Sequence, residues 1–192
     1  MALFQHLKRP ILILLMRCAT SNAAMDDFIL NWLNANKQNA WMAVPVLAFL
    51  EACPGVGLLV SGVILLTVST VLYIEQIATL SQIVPLAFVG ACLSDHIGFY
   101  LGRWIGPKFH QQPFAIKRAE QLQKAEAFIL KYGAAAIILG RLMTAVRSLV
   151  PMLVGISGTS RLKFSLFDIA ASMIWALGLG LLVIGLDNLL PG

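Results

Sequence analysis

The chain has 192 residues, 59% of them hydrophobic and only 12% charged, and carries a net charge of +5. A soluble domain of this length cannot bury so much apolar surface, so the composition excludes an ordinary globular fold and points to a single all-helical membrane domain. The basic excess is gathered in one loop rather than spread as a surface patch, which argues against a nucleic-acid surface.

In chain order, residues 1–25 come first as an N-terminal extension. Lys8 and Arg9 precede "PILILLM" and "SNAA" follows, a loose imitation of a signal peptide. The apolar core is short and Arg17 interrupts its end, so a short interfacial segment, or a start upstream of the true Met25, is expected instead. Residues 26–39 place Phe28, Ile29, Trp32 and Leu33 at helical spacing, which predicts a helix lying in the membrane interface with Trp32 at headgroup depth. From residue 40 an apolar approach is broken by "EACPG" and then resumes to residue 74. Residues 83–106 form a further apolar span, and residues 107–128 a basic amphipathic loop. The stretch "AFILKYGAAAIILGRLMTAVRSLVPMLVGISG" then repeats the theme of apolar run, charge, proline and glycine, and residues 164–190 make the last span.

Charge placement orients these segments. Arg103, Lys108, Lys117, Arg118, Lys124 and Lys131 stand against Glu120 and Glu126, which makes this region cytoplasmic. Arg161 and Lys163 mark a second cytoplasmic turn, while the connection around Glu75 has no Lys or Arg and lies outside.

The two broken segments correspond. Pro54 cannot donate to the carbonyl of Leu50, the neighbour of Glu51, and Pro151 cannot donate to the carbonyl of Arg147. In lipid a freed carbonyl must meet protein, water or an ion, so both breaks should line a cavity. The expected architecture is an inverted repeat of two broken, re-entrant hairpin segments, each followed by a transmembrane helix. One membrane domain then covers residues 26–192, with a first repeat at 26–106, the basic loop at 107–128 and a second repeat at 129–190. The plainer alternative is two ordinary spanning helices with proline kinks.

Four charges fall in or near the apolar runs: Glu51, Asp95, Arg141 and Arg147. Each such group at a helix centre costs about 2.5–3.5 kcal/mol, so they must pair or face water. One reading is a pair of structural salt bridges. The other is an anion site, because the planar fork of arginine donates bidentately to phosphate and stays charged. On a straight helix Arg141 and Arg147 would lie about 9 Å apart along the axis and about 120° apart around it, so convergence requires unwound backbone before Pro151. Glu51 and Asp95 are candidates for charge pairing or proton coupling. Pro54, Gly55, Pro151 and Gly155 are expected to make the breaks.

The remaining motifs point to packing. Gly98, Gly102 and Gly106 recur every four residues and form a small-residue face, which leaves room for a homo-oligomer. His96, beside Asp95, is expected as a helix-face partner. Cys18, Cys53 and Cys92 have no paired spacing, so neither disulfides nor a zinc site is expected. Ser157 in "GISG" resembles a membrane-protease serine, but no histidine follows His110 to activate it. His6, His96 and His110 are poorly placed for a lipid phosphatase, and no phosphate loop is present. No enzyme activity, cofactor or metal is therefore expected.

The block from Gly140 to Gly155 resembles the DedA family, also described as the SNARE-associated or VTT domain. The family pattern G-R-F-x-P-x-V-R-x-x-x-P-x-x-A-G is met here by Gly140, Arg141, Val146, Arg147, Pro151 and Gly155. Asp95, Gly98, Gly102 and Arg103, with Ser94 and Phe99 at its Gly and Tyr positions, are similar to the family's G-D-x-x-G-Y-x-x-G-R, Glu51 with Pro54 and Gly55 to its early Glu before Pro-Gly, and Trp175 to a tryptophan of its last shared span. The likeness covers about residues 26–186. Thr144 replaces the proline between the arginines, Val56 and Gly57 stand where many members carry an acid, and the chain ends at "DNLLPG" without the usual extra C-terminal span, an end the charge rule places outside. The resemblance implies a multi-pass protein of the bacterial inner membrane that transports a phosphorylated lipid, foremost undecaprenyl phosphate, with a link to proton-motive force. Phospholipid flipping or scrambling, proton-coupled antiport of a small solute, and a structural membrane protein are the alternatives.

Overall fold

The computed structural model describes residues 38–54, 56–58, 62–106, 119–132, 135–142 and 147–189. Every regular element among them is helical. The extension expected at 1–25 and nearly all of the interfacial helix expected at 26–39 lie outside the described residues.

A single 3-10 turn, Ala40–Met42, leads into α1, Ala43–Ala52. At its end Cys53 turns to extended backbone, and its N–H donates to the Leu50 carbonyl at 3.3 Å. That bond takes up the carbonyl Pro54 cannot reach. A 3-10 turn at Val56–Leu58 follows, anchored by the Gly57 N–H on the Cys53 carbonyl at 2.8 Å, and then α2, Gly62–Ile74. Helix α3 runs Leu80–Ile105. Its start is fixed by Thr79, whose N–H donates to Gln82 Oε1 at 3.0 Å, so side chains satisfy the first free amides.

After α3 come α4, Ala119–Tyr132, α5, Ala136–Leu142, α6, Val150–Ile156, and α7, Arg161–Leu189. The order of short, short and long therefore occurs twice. Helix α4 runs across the boundary expected at residue 129, and Lys124 clasps Glu120 one turn away at 2.7 Å on its exposed side. The amphipathic pattern read as a loop up to residue 128 is thus partly helix, because its period continues unbroken into Tyr132.

Among the described residues, two helices are long and apolar enough to cross a membrane. At 26 and 29 residues, α3 and α7 reach about 39 and 44 Å, beyond the roughly 30 Å of a bilayer core. Helix α7 turns Leu162, Leu166, Met173, Ile174, Leu181 and Leu182 outward, all more than half exposed. So large an apolar face marks a surface that water does not cover. Helices α5 and α6, of seven residues each, extend only about 10 Å.

Helix α3 is the hub, with α1, α6 and α7 all packed on it. One apolar cluster joins Val44, Ala48, Leu65, Leu72, Ile83 and Leu179, and another joins Phe99, Ile137, Leu149, Leu153, Phe164 and Ala171. Along α3, Asp95 sits between the parts that serve each cluster. Phe99 and Phe164 stack at 4.1 Å between centroids to close the second cluster.

The small-residue face of α3 is where the broken segments meet it. A Cβ at Gly98 would stand 2.8 Å from Pro54 Cγ and 3.7 Å from Pro151 Cβ, so the prolines of both breaks abut one glycine. A Cβ at Gly102 would overlap the Met152 carbonyl, and one at Gly155 the Phe99 carbonyl. Gly155 is therefore a packing residue inside α6, not a helix breaker. The helix instead stops ahead of Gly158, which takes φ +77°. Gly106 touches nothing and ends α3 with φ +58°, so the packing stripe stops at Gly102.

Overpacking of a tight backbone contact costs about 1–3 kcal/mol. Gly102→Ala should lower the apparent melting temperature in detergent by several degrees. Gly178→Ala, with nothing within 4 Å, should leave it unchanged or raise it. Equal effects would contradict the close approach of α3 and α6.

Candidate functional site

Glu51 occupies the last turn of α1 and Asp95 the middle of α3, each 2% exposed. Arg141 lies in the last turn of α5, and Arg147 in the turn ahead of α6. Because α5 and α6 are separate helices, the divergence expected on a straight helix does not apply, and both arginines line one cavity.

Each arginine carries a buried acid partner. Arg147 Nη2 donates to Glu51 Oε1, and Arg141 Nη1 donates to Asp95 Oδ2. The Arg141 nitrogen also approaches Oδ1 of Asp168, on α7, at 3.4 Å. The Arg141 guanidinium lies 5.6 Å from the centre of the Trp175 ring, within reach of a cation–π contact. Gly62, at the start of α2, makes room for the Glu51–Arg147 pair, because a Cβ there would overlap Glu51 Oε1.

The cavity is lined by Ala48, Glu51, Ala52, Ala91, Asp95, Arg141, Arg147 and Trp175. It holds about 260 Å³ of empty space, its mouth included. Glu51 Oε2 and Arg141 Nε are buried here without a hydrogen-bond partner. The site thus keeps both an acceptor and a donor in reserve.

Asp168 is the member that sequence reasoning missed. It is fully buried and gathers Arg141, His96 and Cys92 around one carboxylate. Its signal was present: an acid inside the apolar run "FSLFDIAASMIW" is a candidate by cost alone. Three carboxylates, Glu51, Asp95 and Asp168, therefore face two guanidinium groups. His96 does act as a helix-face partner, but towards Asp168 and Ser165 on α7 and not towards its neighbour Asp95. Of the residues expected at the breaks, Pro54 and Pro151 border Gly98, and Gly55 lies outside the described residues.

This arrangement can bind an anion by exchange. A lone buried ion costs several kcal/mol, so each guanidinium needs a negative partner at all times. A phosphate entering the cavity meets two forks already aimed inward, provided the carboxylates yield them.

Comparison with known proteins agrees with this membrane architecture. Residues 53–184 match the family model described as the VTT domain, a range that holds Asp95, Arg141, Arg147 and Asp168. An uncharacterized membrane protein of Mycobacterium tuberculosis is 29% identical over 85% of this chain and 75% of its own length. A second uncharacterized membrane protein, from Buchnera aphidicola, is 26% identical over 79% of this chain and 59% of its own. The inner membrane protein YqjA of Escherichia coli is 30% identical over 50% of this chain and 44% of its own. No solved structure gives a significant match. With more than half of its length matched, the chain belongs to the DedA family of VTT-domain membrane proteins.

Proposed function

We propose that this chain is a multi-pass carrier of the bacterial inner membrane that moves a phosphorylated lipid across the bilayer, with undecaprenyl phosphate the foremost cargo. The observation that carries the proposal is the convergence of Arg141, at the end of α5, and Arg147, in the turn ahead of α6, on one cavity held between Glu51 and Asp95. Arg141 and Arg147 grip the phosphate. Glu51 and Asp95 occupy the arginines when cargo is absent and accept protons when it arrives.

The short, short, long order of α1–α2–α3 and α5–α6–α7 supports an inverted repeat of re-entrant hairpins, each followed by a spanning helix. The short helices cannot cross a bilayer singly. Their prolines meet α3 at a single glycine, as expected of two breaks that line a common crevice. Inner-membrane placement is supported by the name of the Escherichia coli relative.

A charge-assisted hydrogen bond to phosphate is worth about 1.5–3 kcal/mol, which corresponds to roughly a tenfold to hundredfold change in affinity. Arg141→Ala and Arg147→Ala should each reduce flipping of a polyprenyl phosphate in proteoliposomes by at least about tenfold, and co-purifying lipid should vanish from native mass spectra. Unchanged flipping in both variants would overturn the proposal.

If the charges only lock helices together, exchanging a pair preserves the lock. Glu51→Arg combined with Arg147→Glu should keep a melting temperature near that of the parent yet fail to flip lipid. Full transport by this double variant would favour a structural role.

A further inference from the structure

We propose that Cys92, His96 and Asp168 form a binding site for a divalent transition ion of the Zn²⁺ type, one that tethers α3 to α7. The site borders the arginine cavity through Asp168, whose other oxygen faces Arg141.

The geometry comes first. Cys92 Sγ stands 3.3 Å from Asp168 Oδ2, and His96 Nδ1 stands 3.2 Å from the same oxygen and 2.9 Å from the Cys92 carbonyl, a contact that a bound ion replaces. The three ligand atoms all lie within 4.8 Å of one another. Zinc bonds of about 2.0–2.3 Å in a tetrahedron separate neighbouring ligand atoms by about 3.3–3.8 Å. Two edges of such a set are therefore nearly in place. Cys92 and His96 are one turn apart on α3, so both face the same neighbour.

The surroundings fit as well. The other ring nitrogen, His96 Nε2, meets Ser165 Oγ at 3.1 Å, the kind of outer contact that fixes the ring of a metal-binding histidine. Arg141 approaches Asp168 through Oδ1, which leaves Oδ2 to face the thiol and the imidazole. Arg141 and Arg147 are matched by Asp95 and Glu51, so Asp168 is the odd carboxylate. A divalent ion held by that carboxylate, a Cys92 thiolate and a neutral His96 makes a neutral unit. Access is available, since the His96 side chain is 28% exposed while that of Asp168 is fully covered. Cysteine spacing predicts no such site, because Asp168 lies 76 positions beyond Cys92 and only folding unites them.

The test uses tag-free full-length protein in detergent, reduced, with Cys18 and Cys53 replaced by serine. Titration with Co²⁺ should give a thiolate-to-cobalt charge-transfer band that saturates at one equivalent and is displaced by Zn²⁺. Cys92→Ser should abolish the band without lowering the metal-free melting temperature. Ser165→Ala should weaken binding about 10- to 100-fold while keeping the band. Zn²⁺ should raise the apparent melting temperature of the parent by several degrees and leave that of Cys92→Ser unchanged. Should Asp168→Asn fail to fold, the Cys92 and Ser165 variants decide. Absence of the band at one equivalent, or equal Co²⁺ binding by Cys92→Ser, would overturn the proposal.

Discussion

A guanidinium cannot shed its charge at any pH the protein meets; it can only be matched. Arg141 and Arg147 retain 11% and 13% of their side-chain exposure, so each must keep an anion beside it. The rest of the structure follows from that constraint. Glu51 arrives on α1, Asp95 on α3 and Asp168 on α7, from three distant parts of the chain. The charged layer thereby becomes the point where the halves of the molecule are joined. It also makes the site exchangeable, because one anion replacing another leaves the desolvation of the arginine unchanged.

Broken helices are what make the pairing reachable. Had α5 and α6 formed one straight rod, the two forks would point to different sides. Splitting them lets both open to the same cavity, at the cost of helix ends that need shelter. That shelter is α3, whose Gly98 and Gly102 admit Pro54, Pro151 and the Met152 backbone at contact distance. Glycine serves there by what it lacks: any side chain would force the broken segments outward and draw the arginines from their acids.

Much of the site was legible in the sequence, and the physical reason is cost. Glu51, Asp95, Arg141 and Arg147 stand out because charge inside an apolar run demands an explanation. Their pairing was not legible, since it depends on how helices from distant parts of the chain are set against one another, which residue spacing does not record. Asp168 escaped because it sits five positions after Lys163, near the rim of a span that otherwise reads as continuous. Gly155 and Gly158 illustrate a second limit. Both occur in one short motif, yet one packs and the other turns, and the difference lies in a φ angle that residue identity does not encode. The boundary placed at residue 129 was blurred because the amphipathic period of α4 continues through it.

Trp175 carries a consequence of its own. An indole face attracts a cation without neutralising it and without competing for the hydrogen-bonding edge of the guanidinium. Its grip on Arg141 therefore persists whichever anion occupies that edge. In the proposed hand-over from carboxylate to lipid headgroup, the ring would serve as a standing rest for the side chain. It would keep Arg141 from straying toward the membrane surface in the interval when neither anion is fully engaged.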